Sequence, residues 1–256
     1  MLVTILGSGT CVPSLNRSAC SILLEFDSAK LLFDCGPGTM RRLLETGVTI
    51  YEISHLFFSH FHPDHSGEFV PLLFSTKYAG GHHRRKPLTV IGGRGLLDFY
   101  NKLQSVYGQW IVLAADMLNI VEFDNSASES QHFKTFIVET APVAHNPESV
   151  AFRITGPNNQ SVVYSGDTDY TDNLIALAKD TDLLICESAL PDSMHAKGHL
   201  TPSLAGDIAT RANARRLVLT HFYPECDNVD IQKECRKTYT GPLILAEDLI
   251  QIEVIR

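Results

Sequence analysis

The densest chemistry in the chain lies in one short run, Ser59-His60-Phe61-His62-Pro63-Asp64-His65-Ser66-Gly67. In extended backbone, residues two apart point to the same side, so His60 and His62 can grip one cation together. Pro63 cannot continue a ladder and turns the chain. Asp64 and His65 then fall at a helix start, displaced toward a second cation. Imidazole and carboxylate are the donors that borderline-hard divalent metals prefer, and the mixture is typical of zinc. A lone histidine is ordinarily a surface or core residue, but packing has no use for three histidines and an aspartate within six residues. A two-ion site needs about three more ligands, set where strands end. His145 in Ala-Pro-Val-Ala-His145-Asn-Pro, Asp167 in Tyr-Ser-Gly-Asp167-Thr-Asp and His221 in Leu-Val-Leu-Thr-His221-Phe-Tyr-Pro meet that condition. Each taken singly would be an ordinary loop residue; their shared place at the end of an apolar strand sets them apart.

The elements that must position these residues can be read from periodicity and turn residues. Strands are expected at Leu2–Leu6, at Ser21–Phe26 and Lys30–Asp34 (a hairpin across Asp27-Ser28-Ala29), and at His55–Ser59. Gly36-Pro-Gly38 introduces a helix to Glu45 that Gly47 closes, and another helix follows the histidine run to Lys77. Leu88–Ile91 reads as a strand and Gly95–Val106 as a helix. The middle reads as strands Leu118–Phe123, His132–Thr140, Ser149–Thr155 and Ser161–Tyr164, the last two linked by the turn Gly156-Pro-Asn-Asn159. Alternation then returns: helix Leu174–Ala178, strand Leu183–Cys186, helix Pro202–Ala212, strand Leu217–Thr220 and helix Asp230–Lys237. A last pair of short strands, Leu243–Leu245 and Leu249–Val254, ends the chain. Strand-rich blocks in each half, flanked by helices, predict an α/β fold of two sheets packed face to face with helices outside. No internal repeat or linker interrupts it, so residues 1–256 read as one domain.

Bulk properties narrow the function classes. The net charge of −8 argues against broad sequestration of nucleic acid, which requires a basic face. Arg84-Arg85-Lys86 is the one basic run, and a solvated loop is its plainer reading. The six cysteines show no CxxC pair and read as buried reduced thiols, with Cys35 and Cys186 in the core. No apolar run reaches the ~20 residues of a membrane helix, and the N-terminus reads as a first strand rather than a leader. A cytoplasmic protein without membrane partners is the expectation.

The HxHxDH run and its distant partners resemble the metallo-β-lactamase superfamily over essentially the whole chain. Asp34, in Leu-Leu-Phe-Asp34-Cys-Gly, resembles the early aspartate with which that family supports its metal loop. The resemblance implies a four-layer αββα sandwich with two metal ions at the sheet edge, zinc first and manganese or iron as alternatives. It implies that His60, His62 and His145 hold one ion, that Asp64, His65 and His221 hold the other, and that Asp167 bridges them. Two such ions, ~3.5–4 Å apart, lower the pKa of a shared water and clamp both oxygens of an in-line displacement. Asp64 can both bind metal and hold that water's proton.

The leaving group then needs a proton from a group of near-neutral pKa within hydrogen-bond reach. His199 fits, two residues before a helix that Thr201 can cap with Pro202 at its first position. His195 is the poorer choice, further from the anchored end. Glu187, closing the strand Asp182–Glu187, can orient His199 and raise its basicity; the plain alternative is a helix cap beside an incidental histidine and a surface glutamate. A glutamate ending that strand and a His-x-Thr before a helix resemble ribonuclease Z and its phosphodiesterase relatives. Leu6-Gly-Ser-Gly-Thr10-Cys-Val-Pro13 is similar to their opening loop. The reaction implied is phosphodiester hydrolysis, and the family resemblance implies a homodimer paired through helices near the metal loop. The tRNA-processing members carry a long arm between the histidine and the bridging aspartate, whereas only 21 residues separate His145 from Asp167. In the opening loop, Pro13-Ser-Leu15-Asn-Arg17-Ser18 keeps the arginine of their pattern and loses its lysine and asparagine. A small or cyclic phosphodiester is therefore expected ahead of a tRNA precursor, with RNA as the alternative.

Other readings compete. The same ligands could serve a carbonyl-ester, thioester, lactone or β-lactam hydrolase, an oxygen-using iron enzyme, a tRNA 3′-processing endoribonuclease, or a non-catalytic metal- or RNA-binding relative. Gly7-Ser-Gly9 lacks the third glycine and is followed by Pro13 where a nucleotide-binding helix should begin. Gly92-Gly-Arg-Gly95 lacks the residues of a phosphate loop, and no Gly-x-Ser-x-Gly turn is present. His55, His132, His82 and His83 are assigned no role and are expected to be solvated.

Overall fold

The computed structural model describes residues 1–27, 29–78 and 84–256. Its first half runs β1 (Leu2–Gly7), β2 (Ser21–Phe26), β3 (Ala29–Phe33), α1 (Thr39–Glu45), β4 (His55–Phe58), α2 (Pro63–Ser66), α3 (Phe69–Tyr78), β5 (Leu88–Gly93), α4 (Leu96–Tyr107) and β6 (Leu118–Phe123). The second half opens with β7 (Glu129–His132), β8 (Ile137–Pro142), β9 (Val150–Thr155), β10 (Ser161–Tyr164), α5 (Asp172–Leu177) and β11 (Leu183–Glu187). It ends with α6 (Pro202–Arg211), β12 (Leu217–Thr220), α7 (Ile231–Cys235), β13 (Leu243–Leu245) and β14 (Gln251–Glu253).

These strands form two seven-stranded mixed sheets, ordered β14-β1-β2-β3-β4-β5-β6 and β13-β12-β11-β10-β9-β8-β7. Side-chain alternation explains the layers. Leu31, Phe33 and Phe57 face the second sheet, while Leu32, Leu56 and Phe58 face the helix side of the first. Phe57 stacks on Phe33 at 4.6 Å and meets Phe152 of the other sheet edge-on at 5.2 Å, which stitches the sandwich. Phe69 of α3 and Leu96 of α4 cover the outer face of the first sheet, and Leu174 of α5 and Ile208 of α6 pack against the second. The result is a four-layer αββα sandwich.

Several local expectations change. The run His132–Thr140 is not one strand: Phe133–Phe136 makes a turn, so β7 and β8 form an antiparallel hairpin at the sheet edge. The last two short strands go to different sheets: β13 extends the second sheet and β14 lies antiparallel to β1 in the first. Arg84 is buried rather than solvated, donating to the carbonyls of Ile50 and Ile53, so it belongs to no basic surface. His55 is half-buried edge-on to Phe133 and Phe136. Cys11 is exposed, while the other five cysteines are buried free thiols. His82, His83 and Ser28 lie outside the described residues.

Candidate metal and active site

Strand direction gathers the polar residues at one edge. β3 through β6 run parallel, as do β10 through β13, and β8 points the same way as β10 because β9 is antiparallel to both. The residues after β3, β4, β8, β10 and β12 therefore leave the sandwich at a common rim, where Asp34, His60, His145, Asp167 and His221 stand. Crevices at the carboxyl ends of strands are where such folds place their sites. Asp34 and His221 both adopt left-handed backbone, φ 56° and 62°, a conformation that aspartate and histidine tolerate better than most residues.

Close approach of loops brings the ligand candidates together. The carbonyl of Asp64 would sit 1.9 Å from a Cβ on Gly36, so only glycine lets the β3–α1 loop lie against α2. Cys35 N–H donates to His65 O at 2.6 Å there, and the Glu68 carboxylate accepts from Gly38 N and Met40 N at the start of α1. Across the sandwich, Gly166 meets Ser59 in the same way: a Cβ would lie 2.4 Å from the serine Cβ.

Among the described residues the donor atoms fall into three overlapping clusters, one of which joins His199 to Asp167 and His221. One nitrogen each of His60, His62 and His145 and one oxygen of Asp167 lie within 4.8 Å of one another, as do one atom each of Asp64, His65 and His221. Asp167 reaches both: Oδ1 is 3.2 Å from His65 Nε2, and Oδ2 is 3.3 Å from His221 Nε2 and 3.6 Å from His60 Nε2. Hydrogen bonds on the far side of the rings set the tautomers. His65 Nδ1 donates to Asp34 Oδ2 at 2.7 Å, and His145 Nδ1 donates to Gly198 O at 2.8 Å. His60 Nδ1 donates to Ser59 Oγ at 3.1 Å, whose own proton goes to Asp34 Oδ2. Each of these three rings turns an Nε2 lone pair inward.

A divalent ion fits this donor set on the geometry alone. His62 Nδ1 is 3.0 Å from His60 Nε2 and 3.3 Å from His145 Nε2, so three ring nitrogens converge on one point where a cation could hold them. His65 Nε2, Asp167 Oδ1 and both ring nitrogens of His221 are buried without a hydrogen-bond partner, and such orphans imply a missing ligand. Burial holds His60 well below its usual pKa and His221 at about 4, which leaves neutral imidazoles suited to coordination. His65 goes the other way: burial opposes it, but Asp167 and Asp34 lift it well above 6.5, so a positive charge is wanted at that ring.

His199 and Glu187 sit beside the first two of these clusters. Glu187 is buried at the end of β11, and its Oε1 lies 3.0 Å from His199 Nδ1 while also accepting from Thr168 N. Its Oε2 accepts from Leu200 N and Ala189 N, so the carboxylate holds the histidine loop at both ends. The His199 ring stands 5.0 Å from that of His145 and 5.7 Å from that of His221. Burial lowers its pKa, but the bond and charge of Glu187 outweigh that and raise it to about 9. His195 is directed elsewhere, with Nε2 3.2 Å from Asp169 Oδ1.

Sequence reading missed several supporting groups. Thr201 occupies the cap position of α6, yet its hydroxyl does not cap; Asp192 Oδ1 accepts from Ser203 N at 3.1 Å instead. Asp248 binds the opening loop through Ser8 and Ser18 and pairs with Arg42, while Arg17 covers the ring of Phe222. Tyr164 donates to Asp34 Oδ2 at 2.6 Å. Nothing in residue type announces such partners before the chain is folded.

Comparison with known proteins agrees with the architecture. Ribonuclease Z 1 of Schizosaccharomyces pombe is 32% identical over 90% of this chain, which spans only 32% of that protein. Ribonuclease Z of Halorubrum lacusprofundi is 29% identical, with 98% of this chain and 96% of that one covered. Among solved structures, the metallo-beta-lactamase fold protein YhfI from Bacillus subtilis superposes with a TM-score of 0.82 at 25% identity, covering 98% of both chains. The short form of human tRNase Z gives 0.82 at 25% identity, covering all of both. The model of the beta-lactamase superfamily domain matches residues 29–222, which takes in the histidine run and every other residue gathered at the rim, and the chain belongs to that superfamily.

Proposed function

We propose that this chain is a metal-dependent hydrolase of phosphodiester bonds. The observation that carries the reading is the pair of donor clusters with Asp167 within 3.6 Å of a histidine nitrogen of each, and a histidine–carboxylate pair alongside. His60, His62 and His145 would hold one divalent ion, Asp64, His65 and His221 the other, and Asp167 both. When bound, such ions, zinc first, supply Lewis acidity and lower the pKa of water. Asp64 would also accept that water's proton. His199 keeps Nδ1–H toward Glu187 and presents a protonated Nε2 to the leaving oxygen, the role of a general acid. The ribonuclease Z names among the relatives support the phosphodiester class.

A small or cyclic phosphodiester is favoured over a tRNA precursor. The chain between His145 and Asp167 is used up by β9, a tight turn and β10, all within the sheet, so no arm projects from it. The net charge of −8 weighs the same way. Precursor processing is the second reading, favoured by the complete overlap with human tRNase Z. A homodimer, in a reducing compartment such as the cytoplasm, completes the proposal. Phe61, Val70, Phe74, Phe99, Tyr107 and Trp110 line an apolar cavity of about 660 Å³ beside the metal loop, which suits pairing there. No helix among the described residues is long and apolar enough to cross a membrane.

The test is turnover by zinc-loaded protein on bis(p-nitrophenyl) phosphate, then on cyclic mononucleotides, cyclic dinucleotides and a precursor tRNA in one preparation. Hydrolysis no faster than a metal-only blank would end the phosphodiesterase reading. Cleavage of tRNA alone would reverse the order of substrates, and a monomer by light scattering would remove the dimer.

A further inference from the structure

Asp34 is a hub with four donors. Its Oδ1 accepts Ser59 N–H at 2.8 Å, and its Oδ2 accepts Ser59 Oγ, His65 Nδ1 and the Tyr164 hydroxyl at 2.8, 2.7 and 2.6 Å. Ser59 and His65 follow β4, the neighbour in the first sheet of β3, which Asp34 follows. Tyr164 alone comes from the other sheet. It is the last residue of β10, three positions before Asp167, and it is buried. Its ring is seated edge-on against Phe33 at 5.9 Å, so the hydroxyl has little freedom to leave the carboxylate. Cys20 Sγ, 3.4 Å from the same oxygen, closes the remaining side.

We infer that the Tyr164 hydroxyl is a positioning group that ties the strand delivering Asp167 to the carboxylate orienting His65, and so sets the spacing of the second metal subsite across the two sheets. Asp167 Oδ1 and Asp34 Oδ2 address the two nitrogens of one ring, at 3.2 and 2.7 Å. A shift of β10 against β3 would move those oxygens relative to each other. Hydrophobic packing between sheets tolerates small sliding, because it is non-directional. A short hydrogen bond between Tyr164 and Asp34 does not. His60 is reached from Asp34 only through Ser59, within one sheet, so the first subsite depends less on this tie.

The inference rests on the two-ion reading and is tested separately from it. Tyr164→Phe removes one oxygen and leaves the ring in place, while Asp34 keeps three donors, so the variant is expected to fold. Chelator competition should show one of two zinc sites loosened by about tenfold, within the range for groups that orient metal ligands, and the other unchanged within about twofold. In the cobalt-substituted variant, the d–d bands of the second site should shift and those of the first should stay. Cys20→Ala, which removes the other contact to the phenol, should match the parent in both measurements. Equal zinc affinities in parent and Tyr164→Phe would overturn the inference, as would a variant that does not fold, since the hydroxyl would then serve the core. A Cys20→Ala effect as large as that of Tyr164→Phe would likewise assign the effect to packing. If the parent itself binds fewer than two ions, it is the two-ion reading that fails.

Discussion

His199 and His55 show how differently one side-chain type can be used. Glu187 raises the pKa of His199 to about 9 against the opposing effect of burial, which favours the protonated ring that a general acid needs. Replacing it with alanine should cost about 10²–10⁴-fold in kcat on a phosphodiester with an alkyl leaving group. The loss should be far smaller on bis(p-nitrophenyl) phosphate, whose leaving group needs no proton; an equal loss on both would mean that His199 positions rather than donates. Glu187→Gln should move the alkaline limb of the pH profile to lower pH, because the raising influence is gone. His55, held between Phe133 and Phe136, has its pKa lowered to about 4 by burial. Its unfolded value lies near 6.5, so the unfolded chain binds the extra proton between those limits. The stability it contributes is complete above pH 6.5 and is lost as pH falls toward 4. Unfolding free energies from urea melts at pH 7 and pH 5 should therefore differ by about 2 kcal/mol more in the parent than in His55→Phe; parallel pH dependence would contradict the assignment.

At the scale of elements, the loop that carries His199 is fixed less by its own residues than by what receives it. Asp192 begins the segment and closes it, accepting from Ser203 N in the first turn of α6 while its other oxygen takes Lys237 Nζ at 2.8 Å. Removing the cap with Asp192→Ala should destabilise the protein by about 1 kcal/mol, a fall of roughly 2–4 °C in Tm for a chain of this size. It should also lower kcat, since His199 lies within the same segment; an unchanged Tm would mean that the bond contributes nothing. This is also where sequence reading ran out. His60, His145, Asp167, Glu187 and His221 were legible because each ends an apolar run, and parallel strands turn such endings into one rim. Thr201 had the right type and position for a cap, but Asp192 holds the helix start instead. Tyr164 bonds to a carboxylate 130 residues away, and a tyrosine closing a buried strand reads as core until the second sheet is laid over the first. The His132–Thr140 error has the same origin: its turn, at Phe133–Phe136, contains neither glycine nor proline, and its aromatic and β-branched residues are ones that strands favour.

For the whole molecule, the decisive fact is that the two halves supply different ligands to shared clusters. His60, His62, Asp64 and His65 follow a strand of the first sheet; His145, Asp167 and His221 follow strands of the second. Ions held there would cross-link the sheets, and binding free energy would appear as folding stability. At a free zinc concentration of about 100 times Kd, the gain is about 2.7 kcal/mol per site, or roughly 5–10 °C in Tm for a chain of this length. Chelated protein should therefore melt at least that much lower than zinc-loaded protein and recover when zinc is returned. The sheets also exchange terminal strands, since β14 returns to the first sheet after β13 has extended the second, so neither half closes without the other. Residues 1–256 should accordingly unfold in one calorimetric transition, with or without metal, and the whole transition should move. His145→Ala, which takes one ligand from the second sheet, should retain the transition and lose much of the zinc-dependent shift. Two transitions that separate on chelation, with only one of them moving, would mean that each sheet is stable alone and that the ions do not bind them together.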